Sequence, residues 1–319
     1  STINFSSEAE ITEILGDRTA SRLTLTDQNL TVDSGTVSYA NAILLAAATT
    51  GTVTGTITET TVDNLKTLYD AGETHAYTIT IASSDETGST ASEFTAINNA
   101  TSLPVNATAV TALASDSISN IKTLLTAGND TDQFTSSSFS ALATVVVNDS
   151  TLDISDLNDS ITQANSATGG TSTSFTLTSG ITINGGTQTE FATLVGHEGN
   201  SQVALTNQNL TVDSGEISIA NARSLALTTA GTVTGTIASG SRISDMIHGS
   251  TGLTESTNAL TITVASTDAT AAASDLTTLY GLTSVAVDVS NVTTLTGLIA
   301  DVNTVYAASS ETSGLGNEA

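Results

Sequence analysis

The sequence predicts an α/β fold, a right-handed strand–helix solenoid with a parallel sheet, built from two large tandem repeats. The first observation behind this is an internal repeat, because residues 2–57 align without a gap with residues 182–237. About 30 of the 56 positions are identical, far more than a biased composition alone would give. The second is that short segments of alternating apolar and polar residues, typical of half-buried strands, are separated by helical patterns.

The repeat defines the predicted domains. Residues 28–35 recur unchanged as residues 208–215, and the likeness continues beyond residue 237 with small shifts in the offset. We therefore predict a first large repeat unit over residues 1–180 and a second, incomplete unit over residues 181–319.

A shorter rhythm within each unit predicts the strands. Strand-like segments start near residues 30, 52, 76 and 101, roughly 22 to 25 residues apart, which fits one strand and one helix per coil of a solenoid. Alternation of period two predicts further strands at 260–264 and 285–289.

Apolar residues at helical spacing predict the helices between these strands. One stripe consists of Val62, Leu65, Leu68 and Tyr69, and another of Val292, Leu295, Ile299, Val302 and Tyr306. Most strands show Thr or Ser on one face, which favours helices on one side of the sheet and an open, hydroxyl-rich side. Crossovers between parallel strands are almost always right-handed, hence the predicted hand.

Charge and composition exclude several classes of function. The chain has 32 acidic residues against 6 Lys and Arg, a formal net charge of -26, so nucleic acid and anionic membrane surfaces would repel it. No window reaches the roughly 18 consecutive apolar residues that would span a bilayer. The chain contains no Cys, which excludes disulfides and thiolate metal sites.

The C-terminal residues carry a resemblance to a known family. The segment Ser284–Gly297, the segment Ala300–Ala307 and the final residues Gly314–Ala319 resemble repeat units of very large cell-surface proteins of marine unicellular cyanobacteria. The likeness is clearest over roughly the last 40 residues and weakens toward the N-terminus. It implies an exported, repetitive surface or matrix protein, and it carries no catalytic residues.

Clustered carboxylates are the candidate metal ligands. A hard cation such as calcium could find oxygen ligands there, although neither an EF-hand loop nor a calcium-binding nonapeptide is present. The alternative is that the same residues cap helices and face solvent. The predicted calcium ligands are Asp130, Asp132, Asp149, Asp153, Asp156 and Asp159.

Three further features have plainer interpretations. Asp33 and Asp213, each in Val-Asp-Ser-Gly, are predicted to be turn residues between a strand and a helix. The three histidines are too dispersed for a triad or a metal cluster, and no catalytic motif is present. The Thr rows at 52, 54 and 56 and at 232, 234 and 236 could bind glycan or ordered water, but solvated Thr of high strand propensity is the simpler interpretation.

These observations lead to an expected function. We expect a non-catalytic structural protein, extracellular or at the cell surface, that assembles end to end into a filament or layer. Its partners would be copies of itself or further repeats of the chain, because neither end has an obvious capping segment. The alternative is a calcium- or glycan-binding adhesin module. An enzyme acting on polysaccharide is disfavoured, because no groove of paired carboxylates and aromatics can be assembled.

Overall fold

The strands of the structure pair in parallel, and helices lie between them along the chain. This computed structural model describes residues 1–69, 75–82, 88–169, 173–254, 258–308 and 312–314. The predicted α/β class with parallel sheets is confirmed. By contacts, the chain divides into two compact units, Ser1–Asn148 with Asp159–Thr176 and Asp149–Asn158 with Leu177–Ala319.

The elements up to residue 147 alternate strand and helix. They are β1 Thr2–Phe5, α1 Glu8–Thr19, β2 Asn29–Val37, α2 Tyr39–Ala46, β3 Val53–Ile57, α3 Val62–Leu65 with a 3-10 turn at Lys66–Tyr69, β4 Ala76–Thr78, α4 Ala91–Asn99, β5 Ala112–Asp116, α5 Ile118–Gly128 and β6 Thr144–Val147.

The remaining elements depart in places from strict alternation. They are β7 Thr151–Asp153, α6 Ile154–Ala167, β8 Ser174–Leu177, β9 Thr182–Gly186, α7 Gln188–Gly199, β10 Asn209–Ile217, α8 Ile219–Thr228, β11 Val233–Ile237, α9 Ile243–Met246, β12 Ala259–Thr261, a 3-10 turn at Ser266–Asp268, β13 Thr270–Ala272, α10 Ala273–Tyr280, β14 Val287–Asp288, β15 Thr294–Thr296, α11 Ile299–Ala307 and β16 Thr312–Ser313. Two strands follow one another at β6–β7, β8–β9 and β14–β15.

Sheet order follows chain order in the larger sheets. The first unit contains the sheet β1-β2-β3-β4 and the sheet β5-β6-β8. The second contains a five-stranded sheet, β12-β11-β10-β9-β7, and the pairs β13-β15 and β14-β16. The strand predicted near residue 101 is reduced to isolated bridges, at Thr101, Val105 and Asn106.

Alternation along each strand explains how the sheets bury one face. In β3, Val53, Gly55 and Ile57 are buried, whereas Thr54 is half-buried and Thr56 is exposed. The apolar side chains of such strands pack with the buried faces of the helices to form the core. Within the described residues, no helix combines the length and the apolar run that crossing a membrane would require.

Several helices begin at a residue whose side chain accepts a hydrogen bond from the first turn. Ser38 and Ser218 accept from the amides of Asn41 and Asn221 at the starts of α2 and α8. Thr90, before α4, forms a capping box with Glu93. These short oxygen side chains satisfy amides that have no partner within the helix, and so they fix where each helix begins.

Carboxylates from the next strand–helix segment along the chain also bind the amides at helix starts; a strand with the helix that follows it is called a coil below. Glu59 accepts from the amide of Tyr39 at 2.7 Å, Asp268 from that of Ile243 at 2.7 Å, and Asp116 from that of Ser92 at 2.8 Å. Negative charge is favoured at a helix N-terminus, where the peptide dipoles leave a partial positive charge. Part of the acidic composition therefore has a structural role.

Asp116 gives these contacts a pH dependence. Burial raises the pKa of its carboxyl, but the hydrogen bonds from Asn120, Ser92 and Ser117 outweigh that and hold the pKa below its ordinary value of 3.8. A lowered pKa in the folded state adds stability above the ordinary value, and that stability is lost as the pH falls through the folded-state pKa. We expect Asp116→Asn to destabilise the chain at pH 7, and the difference from wild type to shrink below about pH 4. Urea unfolding at both pH values measures it, and a difference that is constant with pH would contradict the prediction.

The Val-Asp-Ser-Gly segments are not turns between strand and helix, so that prediction is wrong. Both lie inside nine-residue strands, β2 and β10. The pairing register shifts between Thr31 and Thr36 and, likewise, between Thr211 and Glu216. The extra residues are therefore accommodated as an irregularity within the ladder, and the strand resumes pairing on the far side.

The helix predicted from the stripe Val292–Tyr306 is wrong in its first half. Thr294–Thr296 form β15, paired with β13, and α11 begins only at Ile299. The spacing of Leu295 from Ile299 and Val302 is compatible with a helix, but Gly297, with φ of 123°, separates the two elements. The stripe predicted over Val62–Tyr69 is confirmed as α3 and the 3-10 turn after it.

Candidate functional site

Thr side chains form an ordered array on the open face of the four-stranded sheet. The register places Thr31 beside Thr54, and Thr56 between Thr36 and Thr78. Adjacent strands lie about 4.8 Å apart, and residues two apart on one strand about 6.6 Å apart, which sets the spacing of this array. No hydrogen bond joins these five hydroxyls to the protein within the described ranges, so they can bind a ligand or water.

The second unit shows nearly the same array. Thr211 lies beside Thr234, and Thr236 lies between Glu216 and Thr261. Of the predicted Thr rows, Thr54 and Thr56 share one face of β3, and Thr234 and Thr236 share one face of β11, as the alternation requires. Thr52 and Thr232 precede these strands. The array differs where Glu216 stands at the position of Thr36, which adds a negative charge to one of the two faces.

The predicted calcium ligands are mostly engaged with their own surroundings. Asp130 accepts from the amide of Asp132 and from Gln133 Nε2, both at 3.0 Å. Asp159 pairs with Lys122 at 2.8 Å. Asp153 accepts from the amide of Ser155 at 2.8 Å and from its hydroxyl at 2.6 Å, at the start of α6.

The other two predicted ligands lie close in sequence to these. Asp156 is in the first turn of α6, and Asp149 precedes β7. Among the residues that the structure describes, no three carboxylates or histidines come together in a way that could hold a metal ion. The calcium site stays a prediction.

A second set of polar residues, which sequence analysis missed, lies buried between the coils. Thr49 Oγ1 donates to Gln28 O at 2.7 Å and accepts from the amide of Gly51 at 2.9 Å. Thr229, Gln208 and Gly231 repeat both contacts at 2.7 and 2.9 Å. Each Thr therefore ties one coil to the one before it.

The same kind of contact continues at later coils. Thr101 Oγ1 accepts from the amide of Tyr77 at 2.9 Å and donates to its carbonyl at 2.7 Å. Thr283 makes the matching pair of contacts with Leu260, at 3.0 and 2.7 Å. We call these buried side chains the polar ladder: Thr49, His75, Thr101, Ser138, Thr173, Thr229, Asn258 and Thr283. Because buried main-chain groups must be paired, the ladder contributes directly to stability.

His75 and Asn258 hold equivalent places in the polar ladder. His75 Nδ1 accepts from the amide of Val53 at 3.2 Å, and Asn258 Oδ1 accepts from that of Val233 at 2.8 Å. His75 is only 1% exposed, and its role is structural. The sequence signal that could have found this position is the alignment of His75 with Asn258 in the shifted part of the repeat.

This equivalence gives a matched pair of substitutions at His75. His75→Asn keeps an acceptor for the Val53 amide, so we expect a loss of less than about 1 kcal/mol. His75→Leu leaves that amide buried without its acceptor and should cost about 1–3 kcal/mol. Urea unfolding of both variants measures these losses of unfolding free energy. Equal losses for His75→Asn and His75→Leu would show that the acceptor for the Val53 amide does not stabilise the chain.

The other two histidines make local contacts. His197 Nδ1 lies 2.7 Å from Gln202 Oε1, and His248 Nδ1 lies 3.0 Å from the hydroxyl of Thr251. In both cases the partner is within five residues along the chain.

The chain matches no protein-family model, no curated protein and no solved structure.

Proposed function

We propose that this chain is a non-catalytic structural protein of the cell surface or extracellular matrix that assembles end to end into a filament or layer. In this proposal the strand–helix coils form a right-handed solenoid of two large tandem units, 1–180 and 181–319. Its partners are copies of itself or further repeats. The resemblance of the C-terminal residues to cyanobacterial surface repeats agrees with this location.

The observation that carries the proposal is what the two halves of the chain share. The residues kept at the 180-residue offset join neighbouring coils: Thr49 and Thr229, Gly51 and Gly231, Asn29 and Asn209. By contrast, His197 stands where the first unit has Asp17. The feature that both halves keep is therefore the set of contacts that joins one coil to the next, as expected of an elongated repeat protein.

Electron microscopy of the purified chain at rising protein and salt concentration tests the proposal. With a net charge of -26, copies repel one another at low salt. The Debye length falls to about 3 Å at 1 M salt, so we expect filaments or layers to form as salt is raised. Monodisperse particles at high protein and high salt would contradict self-assembly.

A second function, a calcium- or glycan-binding adhesin module, is favoured by the Thr array alone. Its hydroxyls are regularly spaced and available to hydrogen-bond a hydroxylated ligand. Binding of soluble polysaccharides to the full chain, compared with a variant in which Thr54 and Thr56 are changed to Val, tests this surface. Equal polysaccharide binding by both chains would contradict glycan binding at the Thr array.

The calcium part of this second function has its own test. If Asp153 and its neighbours hold calcium, added calcium should raise the melting temperature, because a ligand that binds only the folded state stabilises it. Asp153→Asn should remove that shift, whereas Asp63→Asn, remote in sequence from the predicted ligands, should keep it. Differential scanning calorimetry with millimolar calcium or with EDTA makes the measurement, and identical midpoints in the wild type would contradict the site.

A further inference from the structure

Helix α11 of the second unit exposes most of an apolar stripe. Val305 is fully buried, but Ile299 is 75% exposed and Tyr306 is 45% exposed. Val302 between them is half-buried, and Leu298, just before the helix, is exposed. No other helix among the described residues exposes more than one large apolar side chain. Single exposed apolar residues are ordinary on a protein surface, whereas a cluster of them indicates a binding surface.

The internal repeat identifies the counterpart of α11. Leu113 of β5 aligns with Leu295 of β15. After one deleted residue, Ile118 and Ile299 align at the starts of α5 and α11, and the apolar positions of the two helices then coincide. These positions are Ile118, Ile121, Leu124 and Leu125 in α5, and Ile299, Val302, Val305 and Tyr306 in α11. The surroundings of α5 therefore show what fits against this stripe.

In the first unit the stripe is covered. Ile118 is 4% exposed and Leu125 is fully buried, although their counterparts in α11 are exposed. The strand before the helix shows the same difference. Leu113 is buried beside Val145 of β6, whereas Leu295 is only half-buried. β5 and α5 are thus covered on a side where β15 and α11 are open.

The contacts of α5 show which element covers that side. Lys122, one turn after Ile118, pairs with Asp159 of α6 at 2.8 Å. Thr126, a further turn along, donates to Gln163 of α6 at 2.9 Å. Residues four apart lie on the same side of a helix, so Ile118 faces α6 as well. The side that α11 exposes is therefore the side on which α5 packs against α6.

The strand before α11 also has an open edge. β15 pairs with β13, and no strand within the described residues pairs with its other edge. The Thr294 amide donates to Ala269 O on the β13 side, and successive amides of a strand point to opposite edges, so the Leu295 amide points to the open edge. In the first unit the Ala114 amide donates to Ser89 O, which takes the place of β13, and β6 pairs in parallel with the opposite edge of β5.

We propose that the outer edge of β15 and the exposed stripe of α11 bind a further strand–helix coil. Its strand pairs with β15 in parallel, as β6 pairs with β5, and its helix packs against Ile299 and Tyr306, as α6 packs against α5. In a second copy of this chain β6 and α6 are already engaged with β5 and α5, so the coil is one of a further repeat. This rests on the proposed function, because it specifies the surface through which such a protein extends.

The residues of the second unit also define how this coil differs from β6 and α6. Asn303 stands at the place of Lys122, so no ion pair with a facing carboxylate can form there. An added Cβ at Gly128 would lie 2.7 Å from the ring of Phe139, and Ser309, outside the described residues, stands at the place of Gly128. The coil therefore has an uncharged residue opposite Asn303 and a small residue in place of Phe139.

The test adds such a coil to the full chain. A copy of residues 140–168 is placed directly after Ala319, with Asp159→Asn in the copy. The copy begins after Phe139, and the connection from α11 to the added strand is about as long as that from α5 to β6. The added strand should cover the Leu295 amide, so we expect its hydrogen exchange to slow at least tenfold relative to the unextended chain.

A second extended chain tests the same surface with a different pair of facing residues. It keeps Asp159 in the added copy and carries Asn303→Lys, which restores the ion pair of the first unit. Exchange at Leu295 should again slow at least tenfold, and the slowing should weaken at 1 M salt, which screens the ion pair. Unchanged exchange at Leu295 in both extended chains would overturn the proposal.

Two substitutions of exposed apolar residues show whether the coil uses α11. Ile299→Asp in the first extended chain places a carboxylate in the contact, so exchange at Leu295 should return to that of the unextended chain. Leu227→Asp is the matched control, because Leu227 is 67% exposed on α8. It should leave the protection of Leu295 unchanged. Equal protection in the Ile299→Asp and Leu227→Asp chains would also overturn the proposal.

The proposed function can fail separately. If the wild-type chain does not assemble but the added coil protects Leu295, the surface binds a coil although the chain is not a self-assembling material. If light scattering shows that the wild-type chain dimerises, and Ile299→Asp abolishes the dimer whereas Leu227→Asp does not, the stripe belongs to a second copy and the inference is wrong.

Discussion

Gly51→Ala and Gly231→Ala are each expected to destabilise the chain by about 3 kcal/mol or more. A Cβ at Gly51 would lie 2.3 Å from the carbonyl oxygen of Gln28, and one at Gly231 would lie 2.2 Å from that of Gln208. Both obstacles are main chain, which cannot rotate away. The same carbonyls accept from Thr49 and Thr229, so relieving the clash also disturbs the polar ladder.

Two other glycines at the same offset serve as the control. Gly16 in α1 and Gly196 in α7 have nothing within 4 Å of an added Cβ. Alanine there should stabilise the chain by about 0.5–1 kcal/mol, because it lowers the entropy of the unfolded chain in a helical position. Urea unfolding of the four variants gives the free energies of unfolding. A loss of unfolding free energy below about 1 kcal/mol for Gly51→Ala would show that Gly51 is not held this close to the Gln28 carbonyl.

Thr101→Val and Thr283→Val should each cost about 2–3 kcal/mol. Val has nearly the shape of Thr, but it leaves the buried amide and carbonyl of Tyr77 or Leu260 without their side-chain partner. Both threonines are buried, at 7% and 8% exposure, so water cannot easily replace the hydroxyl. Because the loss comes from unpaired main-chain groups, it should exceed that of a surface change.

Thr56→Val is the matched control for these two substitutions. Thr56 has high exposure on the open face of β3, and among the described residues no main-chain group bonds to its hydroxyl. We expect a change within about 0.5 kcal/mol. Equal losses at Thr101 and Thr56, measured by the same urea titration, would mean that the polar ladder does not stabilise the chain.

The parallel α/β class and most strand positions could be predicted because they depend on local periodicity. Alternation placed Thr54 and Thr56 on the open face and Val53 and Ile57 inside, and the structure agrees. The predicted strand at 285–289 is present as β14, although it is only two residues long. Periods of two and of 3.6 are properties of the chain itself, and pairing with neighbours does not change them.

The features that sequence analysis missed depend on contacts between coils. Val-Asp-Ser-Gly has the composition of a turn, but the residues before it pair with strands on both sides and the residues after it pair again with β3 or β11, so the segment lies within β2 and β10. Likewise, nothing local marks His75 or Thr101 as buried, since both belong to residue types that usually face solvent. Their burial follows from the main-chain groups of the adjacent coil, more than 20 residues away.

The polar ladder also has a mechanical consequence. Each rung joins main-chain groups that lie 21 to 33 residues away along the chain. In the proposed solenoid, a force that pulls on the two ends would therefore peel the terminal coil from its neighbour before it detaches the coils behind it. A chain stretched in this way would release its length in many small, similar steps. The protein would absorb work gradually under load, as a tether does, and each detached coil could rejoin when the tension falls.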